Sequence, residues 1–485
     1  MRLVNLSLTV FLALYTGNVL SAPRQAAQGN ESMVVSAQHY ATDVGQAVLD
    51  KGGNAIDAAV AMGYALGVVH PCCGNIGGGG FMLIRFANGK TTFFNFREKA
   101  PLAIDPKLFA AKGSSAWLSG GHLMGMAKKA YLSIGVPGTV KGLNTALQKY
   151  GTRSLSELLQ PAIELAEKGY ILEEQDVAIL NSAAPEMRKQ PNLFQRFLRG
   201  KTSFRVGQRF AQSDLAKTLR KIAQGGTDEF YQGNLTNVIV TSLQKKGGLL
   251  SKKDFSDYEV EEMTPLTCSY RGFDIIAAPP PSSGGVTICE TLNILEGYPL
   301  EKFGYHSVPA VHYLIESLRY AYADRNSELG DPDFVDNPIE RLTSKNYAQK
   351  IRQKIKDNKA GDSRQIGFNS ADSEAGNTTS YSVVDKHGNA VSVTYTLNGY
   401  FGSKIIAGHT GFFLNNELAD FTLKVGEANS FGLVQGEKNI IAPGKRPLSS
   451  MAPTIITKKG KLFYLPKAGN KFPAFGTLKI SLIVF

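Results

Sequence analysis

The alternation of hydrophobic and polar positions over residues 378–396 predicts a β-hairpin with two different faces. Its arms run from Thr378 to Val384 and from Ala390 to Thr396, around a turn at residues 385–389. Folding the arms about His387 places hydroxyl side chains on one face: Thr378, Ser380, Ser382, Ser392, Thr394 and Thr396. The other face carries Tyr381, Val383, Val391, Val393 and Tyr395. The hairpin therefore has one hydroxyl face and one apolar face.

At the open end of this hairpin, Thr378 and Thr396 are opposite residues, close enough for a hydrogen bond between side chains. Thr379 falls on the apolar face. A hydroxyl-lined face is also typical of a half-exposed sheet whose polar side meets solvent. The hairpin alone leaves both interpretations open.

The remaining pattern predicts an α/β protein. Residues 36–69 are expected to be helical, and two strands follow around a turn at Asn88-Gly89. Residues 140–360 alternate helical segments with short turns, and PPPSSGG at 279–285 indicates a loop. The run Gly77–Gly80 lacks the spacing and the following helix of a phosphate-binding loop. We expect it to permit close backbone packing and positive φ angles.

Composition indicates a soluble globular protein with a substantial core, since 43% of residues are hydrophobic and 19% charged. The 53 Lys and Arg residues exceed the 41 Asp and Glu residues, which gives a formal net charge of +12. This excess is scattered, without a basic stripe and interleaved aromatic residues, so we expect no nucleic-acid partner. No stretch after the N-terminus approaches the about 20 apolar residues of a membrane span.

The N-terminus resembles an export signal, with Arg2 before a mostly apolar segment from Leu3 to Leu14. The small residues Ser21 and Ala22 suit cleavage, so we expect residues 1–22 to be removed and the protein to be periplasmic or secreted. A buried first helix is the alternative interpretation.

The four cysteines match no zinc-binding or redox spacing. Cys72 and Cys73 are neighbours, and neighbouring cysteines rarely bond each other. Cys268 and Cys289 could pair in an oxidising compartment, but the sequence leaves their state open.

Nine motifs along the chain resemble those of the γ-glutamyltransferases, which are also called glutathione hydrolases. The resemblance is to bacterial members of this family. In chain order they are GGGGFMLIR, FREKAP, VPGTVKGL, PPPSSGG, YAYADR, GNTTSYSVVD, VSVTYTLN, FLNNELADF and KRPLSSMAPT. Any one of them alone is weak. The resemblance runs from about residue 34 to about residue 463, and its strength lies in the order of the motifs.

This resemblance implies an N-terminal-nucleophile hydrolase fold, an αββα four-layer sandwich. It also implies that the precursor cuts itself between Asn377 and Thr378, so that a large subunit, 23–377, stays associated with a small subunit, 378–485. A threonine hydroxyl is a poor nucleophile until a base takes its proton, and the freed α-amine of Thr378 can do so. No metal and no organic cofactor is required.

The resemblance assigns roles to eight residues. Thr378 is the nucleophile, and Thr396 supports it. The residues that would bind the acyl group are Arg97 and the hydroxyls of Ser449 and Ser450 for its α-carboxylate, Asp420 for its α-ammonium, and Glu417 and Asn398 beside Asp420. Lys99 and Phe431 are departures, because the family more often has a neutral residue and a tyrosine there.

The implied reaction is transfer or hydrolysis of the γ-glutamyl group of glutathione and other γ-glutamyl compounds. Thr378 attacks the γ-amide carbonyl, and water or an amino acid accepts the acyl group. An amidase or acylase of the same nucleophile class is an alternative, which Arg97 together with Asp420 weakens because they suit an amino-acid-like acyl group.

The resemblance stops after GKLFYL, at residue 465. The family continues with a glycine pair whose amides form the oxyanion hole, whereas this chain reads PKAGNKFPAFGTLKISLIVF. Loss of one oxyanion donor lowers the rate by about 100- to 1,000-fold. The divergent and shortened end therefore raises a second hypothesis, that of an inactive member or truncation product.

Overall fold

The computed structural model describes residues 29, 31–109, 127–304, 306–367, 378–429 and 432–464. The fold reported below belongs to the unit that begins at Glu31. Four sequence predictions lie outside the described residues: the export signal at 1–22, Asn377 at the cleavage site, Phe431, and the divergent segment after residue 464.

The described elements alternate between strands and helices. The strands are β1 (Met33–Val35), β2 (Gly79–Arg85), β3 (Thr91–Phe96), β4 (Tyr170–Ile171), β5 (Arg209–Phe210), β6 (Glu261–Met263), β7 (Leu266–Tyr270), β8 (Phe273–Ala277), β9 (Thr378–Val384), β10 (Ala390–Thr396), β11 (Thr454–Lys458) and β12 (Lys461–Tyr464). The helices are α1 (His39–Asp50), α2 (Ala55–Val69), α3 (Ala127–Leu132), α4 (Thr139–Tyr150), α5 (Leu155–Lys168), α6 (Glu174–Met187), α7 (Ser213–Tyr231), α8 (Asn234–Gln244), α9 (Lys252–Ser256), α10 (Gly284–Leu295), α11 (Leu300–Phe303), α12 (Val308–Glu328), α13 (Ile339–Leu342) and α14 (Lys345–Arg352). A 3₁₀ turn spans Glu417–Asp420.

The hairpin predicted from the sequence lies within an antiparallel sheet. In the described part of the chain this sheet has the order β1-β9-β10-β2-β3-β6. Its register is the predicted one, with Thr378 opposite Thr396 and Ser380 opposite Thr394. The apolar face, which includes Tyr381 and Tyr395, joins the largest hydrophobic core together with α2, α4 and α5.

Helix α2 crosses the apolar face of this sheet and is buried along its whole length. At its start, the Asn54 side chain accepts from the Asp57 amide while the Asp57 carboxylate accepts from the Asn54 amide, a capping box. The predicted continuous helix over 36–69 is therefore wrong between Lys51 and Asn54. The chain turns at Gly52, whose φ is +82°, and starts a new helix.

A second sheet covers the hydroxyl face of the hairpin. It has the order β12-β11-β8-β7 among the described strands, and α10 and α12 lie on its outer side. Apolar side chains such as Phe81, Leu83 and Ile455 fill the space between the two sheets. The arrangement confirms the predicted αββα fold, although strands β6, β7 and β8 lie in a region where the pattern predicted helices and turns.

The interpretation of the hydroxyl face as a solvated surface is wrong. Ser380, Ser392, Thr394 and Thr396 are each at most 4% exposed, because the second sheet lies over them. Their hydroxyls satisfy one another where they meet: the Ser380 and Thr394 oxygens are 2.9 Å apart. Of the six hydroxyl residues on this face, Thr378 at the open end is the one that is partly exposed.

The run Gly77–Gly80 packs closely against the neighbouring backbone, as predicted. A Cβ at Gly78 would lie 1.9 Å from the Thr396 carbonyl oxygen, and one at Gly77 would lie 2.0 Å from the Phe413 carbonyl oxygen. No side chain fits there. The prediction of positive φ angles is wrong, since none of the four glycines has one and Gly79 and Gly80 belong to β2.

Both cysteine pairs are disulfide-bonded. Cys268 bonds Cys289, which resolves a pairing that the sequence left open. Cys72 bonds its neighbour Cys73, contrary to expectation, in the turn between α2 and β2. That turn brings both sulfurs to one side, and His70 lies within 3.9 Å of the Cys72 sulfur.

Among the described helices, none combines the length and the apolar character that crossing a membrane requires.

Candidate active site

Thr378 and Thr396 form the end of the site at which β9 begins and β10 finishes. The Thr378 hydroxyl donates to the Thr396 oxygen at 3.3 Å. The same Thr396 oxygen accepts the amide of Asn398 at 2.9 Å, which fixes its position. Thr396 is 3% exposed while Thr378 is partly open, so the pair has one anchored and one accessible hydroxyl.

Thr379, the runner-up nucleophile, points to the opposite side of the sheet. It is fully buried, and its hydroxyl has no hydrogen-bond partner among the described residues. It packs against the turn after α2, where a Cβ at Gly74 would lie 2.5 Å from the Thr379 methyl. A substrate that reaches Thr378 therefore does not reach Thr379.

Asn398 connects the hydroxyl pair to the charged end of the site. It sits just beyond β10 with a φ of +79°, a left-handed conformation that asparagine tolerates better than most residues. Its side-chain amide donates to Asp420 Oδ1 at 3.0 Å while its backbone amide holds Thr396. Asn398 thus positions both Thr396 in the hydroxyl pair and Asp420 at the charged end.

Arg97 lies at the centre of the charged end, directly after β3, and is fully buried. Its Nη2 donates to Asp420 Oδ2 at 2.5 Å, its Nη1 donates to Glu417, and its Nε donates to the Pro447 carbonyl at 3.2 Å. The 3₁₀ turn Glu417–Asp420 presents both carboxylates to one guanidinium, the planar fork that suits such pairing.

Three carboxyl groups face this single guanidinium. Glu98, also fully buried, has an oxygen 3.6 Å from Arg97 Nη1, and neither of its oxygens has a hydrogen-bond partner among the described residues. Burial raises the pKa of Glu98 to about 8 and that of Glu417 well above its usual range. Burial opposes the charge of Arg97, but the adjacent carboxylates raise its pKa overall. Arg97 therefore stays cationic.

Ser449 and Ser450 lie where a loop and a β-bridge meet. The Ser449 amide donates to the Pro281 carbonyl at 2.8 Å, and both the amide and the hydroxyl of Ser283 donate to the Ser449 carbonyl at 2.7 Å. The PPPSSGG loop therefore holds this segment in place. The Ser449 hydroxyl oxygen accepts from the Met451 amide at 3.1 Å, which leaves its proton free to donate.

Sequence reasoning missed Glu98, Arg325 and Gln435. Arg325 donates to the Ser450 hydroxyl oxygen at 3.3 Å and to the Gln435 side-chain oxygen. The Gln435 amide then donates to the Asp420 carbonyl at 2.9 Å. The YAYADR motif contains Arg325, but at the end of a helix a basic residue usually indicates only a favourable dipole interaction.

The structure brings together the predicted site residues that it describes: Arg97, Thr378, Thr396, Asn398, Glu417, Asp420, Ser449 and Ser450. One chain of hydrogen bonds runs from Thr378 through Thr396, Asn398 and Asp420 to Arg97. Lys99 stands apart, pairing through its backbone with Val136, and burial lowers the pKa of its amine.

The chain is similar to known proteins over most of its length. The sequence model of the family described as "Gamma-glutamyltranspeptidase" matches residues 41–466. A glutathione hydrolase proenzyme of Pseudomonas sp. (strain A14) is 52% identical over 445 residues, which cover 92% of this chain and 76% of that relative. A glutathione hydrolase proenzyme of Escherichia coli (strain K12) is 46% identical over 441 residues, covering 90% and 74% of the two chains.

Solved structures give the same assignment. The γ-glutamyltranspeptidase of Helicobacter pylori has a TM-score of 0.66 at 40% identity, covering 70% of this chain and 97% of that one. A cephalosporin acylase from Bacillus halodurans has a TM-score of 0.78 at 26% identity, covering 92% and 79%. These similarities confirm both the predicted fold and the predicted resemblance. The chain belongs to the γ-glutamyltranspeptidase family.

Proposed function

We propose that this chain transfers or hydrolyses γ-glutamyl groups with Thr378 as its nucleophile. The supporting observation is the hydrogen-bonded chain that joins the Thr378 hydroxyl to Arg97 through Thr396, Asn398 and Asp420. It connects a partly open hydroxyl with a buried set of opposite charges. An amino-acid-like acyl group needs both features in one site.

The chemical step uses the threonine that cleavage would leave at a new N-terminus. Its α-amine takes the hydroxyl proton as Thr378 Oγ1 attacks the γ-amide carbon. That proton then goes to the leaving nitrogen, which departs as an amine and leaves an ester on Thr378. Thr396 orients the hydroxyl, and water or the amino group of an acceptor opens the ester.

Recognition of the acyl group requires an exchange of ionic partners. In this structure Arg97 is occupied by Glu417 and Asp420. An α-ammonium that binds Asp420, with Glu417 and Asn398 beside it, releases the Arg97 guanidinium. The α-carboxylate then pairs with Arg97 and accepts from Ser449 and Ser450. The bound zwitterion replaces the internal pair between Arg97 and Asp420 by two intermolecular pairs, one to each of these residues.

Maturation completes the proposal. Cleavage between Asn377 and Thr378 gives subunits 23–377 and 378–485, which remain associated because β9 and β10 lie in the same sheet as β2 and β3. Glutathione and other γ-glutamyl compounds are the proposed donors. We also propose export to the periplasm or the medium after removal of residues 1–22.

Intact mass of the purified chain at neutral pH tests maturation. We expect two fragments that meet at Asn377/Thr378, together with turnover of a γ-glutamyl anilide. Thr378→Ala is expected to stay uncut and inactive because it has no nucleophile. Thr378→Ser keeps a hydroxyl and is expected to be cut.

The neighbouring residue supplies a control. Thr379→Ser removes one methyl group from the opposite face of the sheet and is expected to leave both cleavage and turnover in place. A wild-type chain that remains uncut and inactive would support the second hypothesis, an inactive member. No comparison favours that hypothesis.

A further inference from the structure

Arg325 is a second buried cation at the site, and no carboxylate among the described residues hydrogen-bonds it. It is 3% exposed at the end of α12. Its hydrogen-bond partners in the described part of the chain are all neutral oxygens, on Ser283, Asn326, Gln435 and Ser450. No ion pair among the described residues includes it.

This environment differs from that of Arg97 and Arg446, neither of which has exposed surface. Arg97 faces Glu417 and Asp420, and Arg446 faces Glu261. Burying a charge without a counter-ion is costly, and such charges persist where they are paired or serve a site. Burial lowers the pKa of Arg325 to about 10, so the guanidinium is still charged at neutral pH.

The contact between Arg325 and Ser450 determines where the serine proton points. A hydroxyl that accepts from a guanidinium directs its own O–H elsewhere. Ser450 is half-buried, so this proton is available to a ligand. Ser449 is arranged in the same way, since its oxygen accepts from the Met451 amide. Both serines therefore offer donors, which suits an incoming anion.

Arg325 also connects the two ends of the acyl pocket. Its Nη1 donates to Gln435, whose amide holds the Asp420 carbonyl. Asn439 supports the same carbonyl at 2.8 Å. The guanidinium thus links Ser450 on one side to the backbone of Asp420 on the other.

We propose that Arg325 is a positioning and specificity-determining residue for the α-carboxylate of the acyl group. It orients Ser450 as a hydrogen-bond donor and supplies a positive charge that this carboxylate compensates. The inference rests on the proposed function because it concerns the same pocket. It adds the requirement that an acyl group without an α-carboxylate leaves Arg325 unpaired.

Three small ligands test this requirement in the mature wild-type protein. Calorimetric titration with L-glutamate, 4-aminobutyrate and glutarate compares an intact zwitterion with molecules that lack its α-carboxylate or its α-ammonium. For Arg325→Gln we expect glutamate and glutarate to bind about 10- to 100-fold more weakly, the range of a hydrogen bond to a charged group. Binding of 4-aminobutyrate should change less than about threefold.

Two further variants separate this role from a purely structural one. Arg325→Lys keeps the charge and is expected to recover part of the preference for glutamate. Arg319→Gln removes an arginine from the same helix that already has a partner, Glu316, and should leave the glutamate to 4-aminobutyrate ratio unchanged. Equal weakening of all three ligands by Arg325→Gln would overturn the proposal.

A double-mutant cycle examines the path through Ser450. If Arg325 acts through this hydroxyl, Ser450→Ala and Arg325→Gln together weaken glutamate binding by less than the product of their separate effects. Fully independent effects would contradict that path.

Turnover distinguishes failure of this inference from failure of the proposed function. If the wild-type chain binds glutamate preferentially without cleaving a γ-glutamyl anilide, and Arg325→Gln loses that preference, the proposed reaction is refuted while the role of Arg325 is supported. A wild-type chain that cleaves the anilide, with an unchanged ligand ratio in Arg325→Gln, refutes the role of Arg325 alone.

Discussion

The two ends of this site are built in opposite ways. The nucleophile end consists of two uncharged hydroxyls on one hairpin, and strand register alone places Thr378 opposite Thr396. The recognition end gathers charges from segments far apart in the chain, among them Arg97, Arg325 and Asp420. Its groups are held by one another as much as by the backbone.

This difference determines which property is lost when a side chain at each end is substituted. A hydroxyl removed from the hairpin leaves the sheet in place, so the loss is confined to orientation of the reaction. A charge removed from the recognition end leaves its partners buried and unpaired, so binding and stability fall together. Substitutions at the two ends should therefore separate a loss of catalytic rate from a loss of stability.

The largest effect is expected at the centre of the recognition end. Arg97→Gln leaves Glu417 and Asp420 without their cation, which costs about 3–5 kcal/mol of unfolding free energy for a buried pair that loses one partner. Urea denaturation at pH 7.5 measures this loss.

The control for Arg97 is an arginine that solvent surrounds. Arg364 pairs with Asp362 at 3.1 Å and is 83% exposed, so Arg364→Gln should leave the urea midpoint unchanged. If Arg97→Gln destabilises the protein no more than Arg364→Gln does, the recognition end is not held together by its charges.

A smaller and mainly kinetic effect is expected at the nucleophile end. Thr396→Val keeps the shape of the side chain but removes the oxygen to which Thr378 donates. Misorientation of a reacting group costs up to about 100-fold, so we expect kcat for a γ-glutamyl anilide to fall about 10- to 100-fold. KM should change less than kcat, because the Asn398 amide loses its acceptor on Thr396 while the Asn398 side chain keeps its hydrogen bond to Asp420.

The same substitution two residues away provides the control. Thr394 lies on the same strand and the same face and is 2% exposed, and its hydroxyl forms a hydrogen bond with that of Ser380. Thr394→Val should preserve kcat. An equal fall in both variants would mean that the sheet, rather than the orientation of Thr378, was damaged.

The nucleophile end could be predicted from the sequence because its geometry is local. Period-two alternation and a five-residue turn fix the register of β9 and β10, and the register fixes the pair Thr378 and Thr396. The burial of the remaining hydroxyls could not be predicted this way. It depends on β8 and β11, which are distant in the chain.

At the recognition end, less of the site could be predicted from the sequence pattern. Arg97, Glu417 and Asp420 followed from the family resemblance, because no pattern of spacing brings them together. Arg325 and Glu98 were missed, since each belongs to an element whose own pattern explains it as a helix-end arginine or a residue after a strand. Only the three-dimensional arrangement shows that, within the described residues, no carboxylate hydrogen-bonds Arg325 and no group hydrogen-bonds the Glu98 carboxyl oxygens.

Turn chemistry explains the one helix whose bounds were wrong. The sequence GGNAID at 52–57 contains the signals of a helix end and a new start, Gly52 followed by an Asn54–Asp57 capping box. The apolar residues on both sides conceal these signals. The interruption matters for the site, because it turns α2 across the face of the sheet behind Tyr381 and Tyr395.

The finest distinction between the two ends is their response to pH, since the two hydroxyls do not titrate near neutrality whereas Glu98 does. Its pKa is raised by burial from 4.5 to about 8, so the folded state holds a proton that the unfolded state has already lost between these values. The stability that this group contributes is therefore complete below about pH 4.5 and declines as the pH rises to about 8.

Glu98→Gln removes this decline. Relative to wild type, the variant should gain about 1 kcal/mol of unfolding free energy between pH 7 and pH 8, measured by urea denaturation at a series of pH values. Glu340→Gln on the exposed surface is the matched control, and its difference from wild type should stay constant over this range. A Glu98→Gln difference that is equally constant would show that the buried carboxyl is already ionised beside Arg97. The recognition end would then hold a full set of charges, and its response to pH would not distinguish it from the nucleophile end.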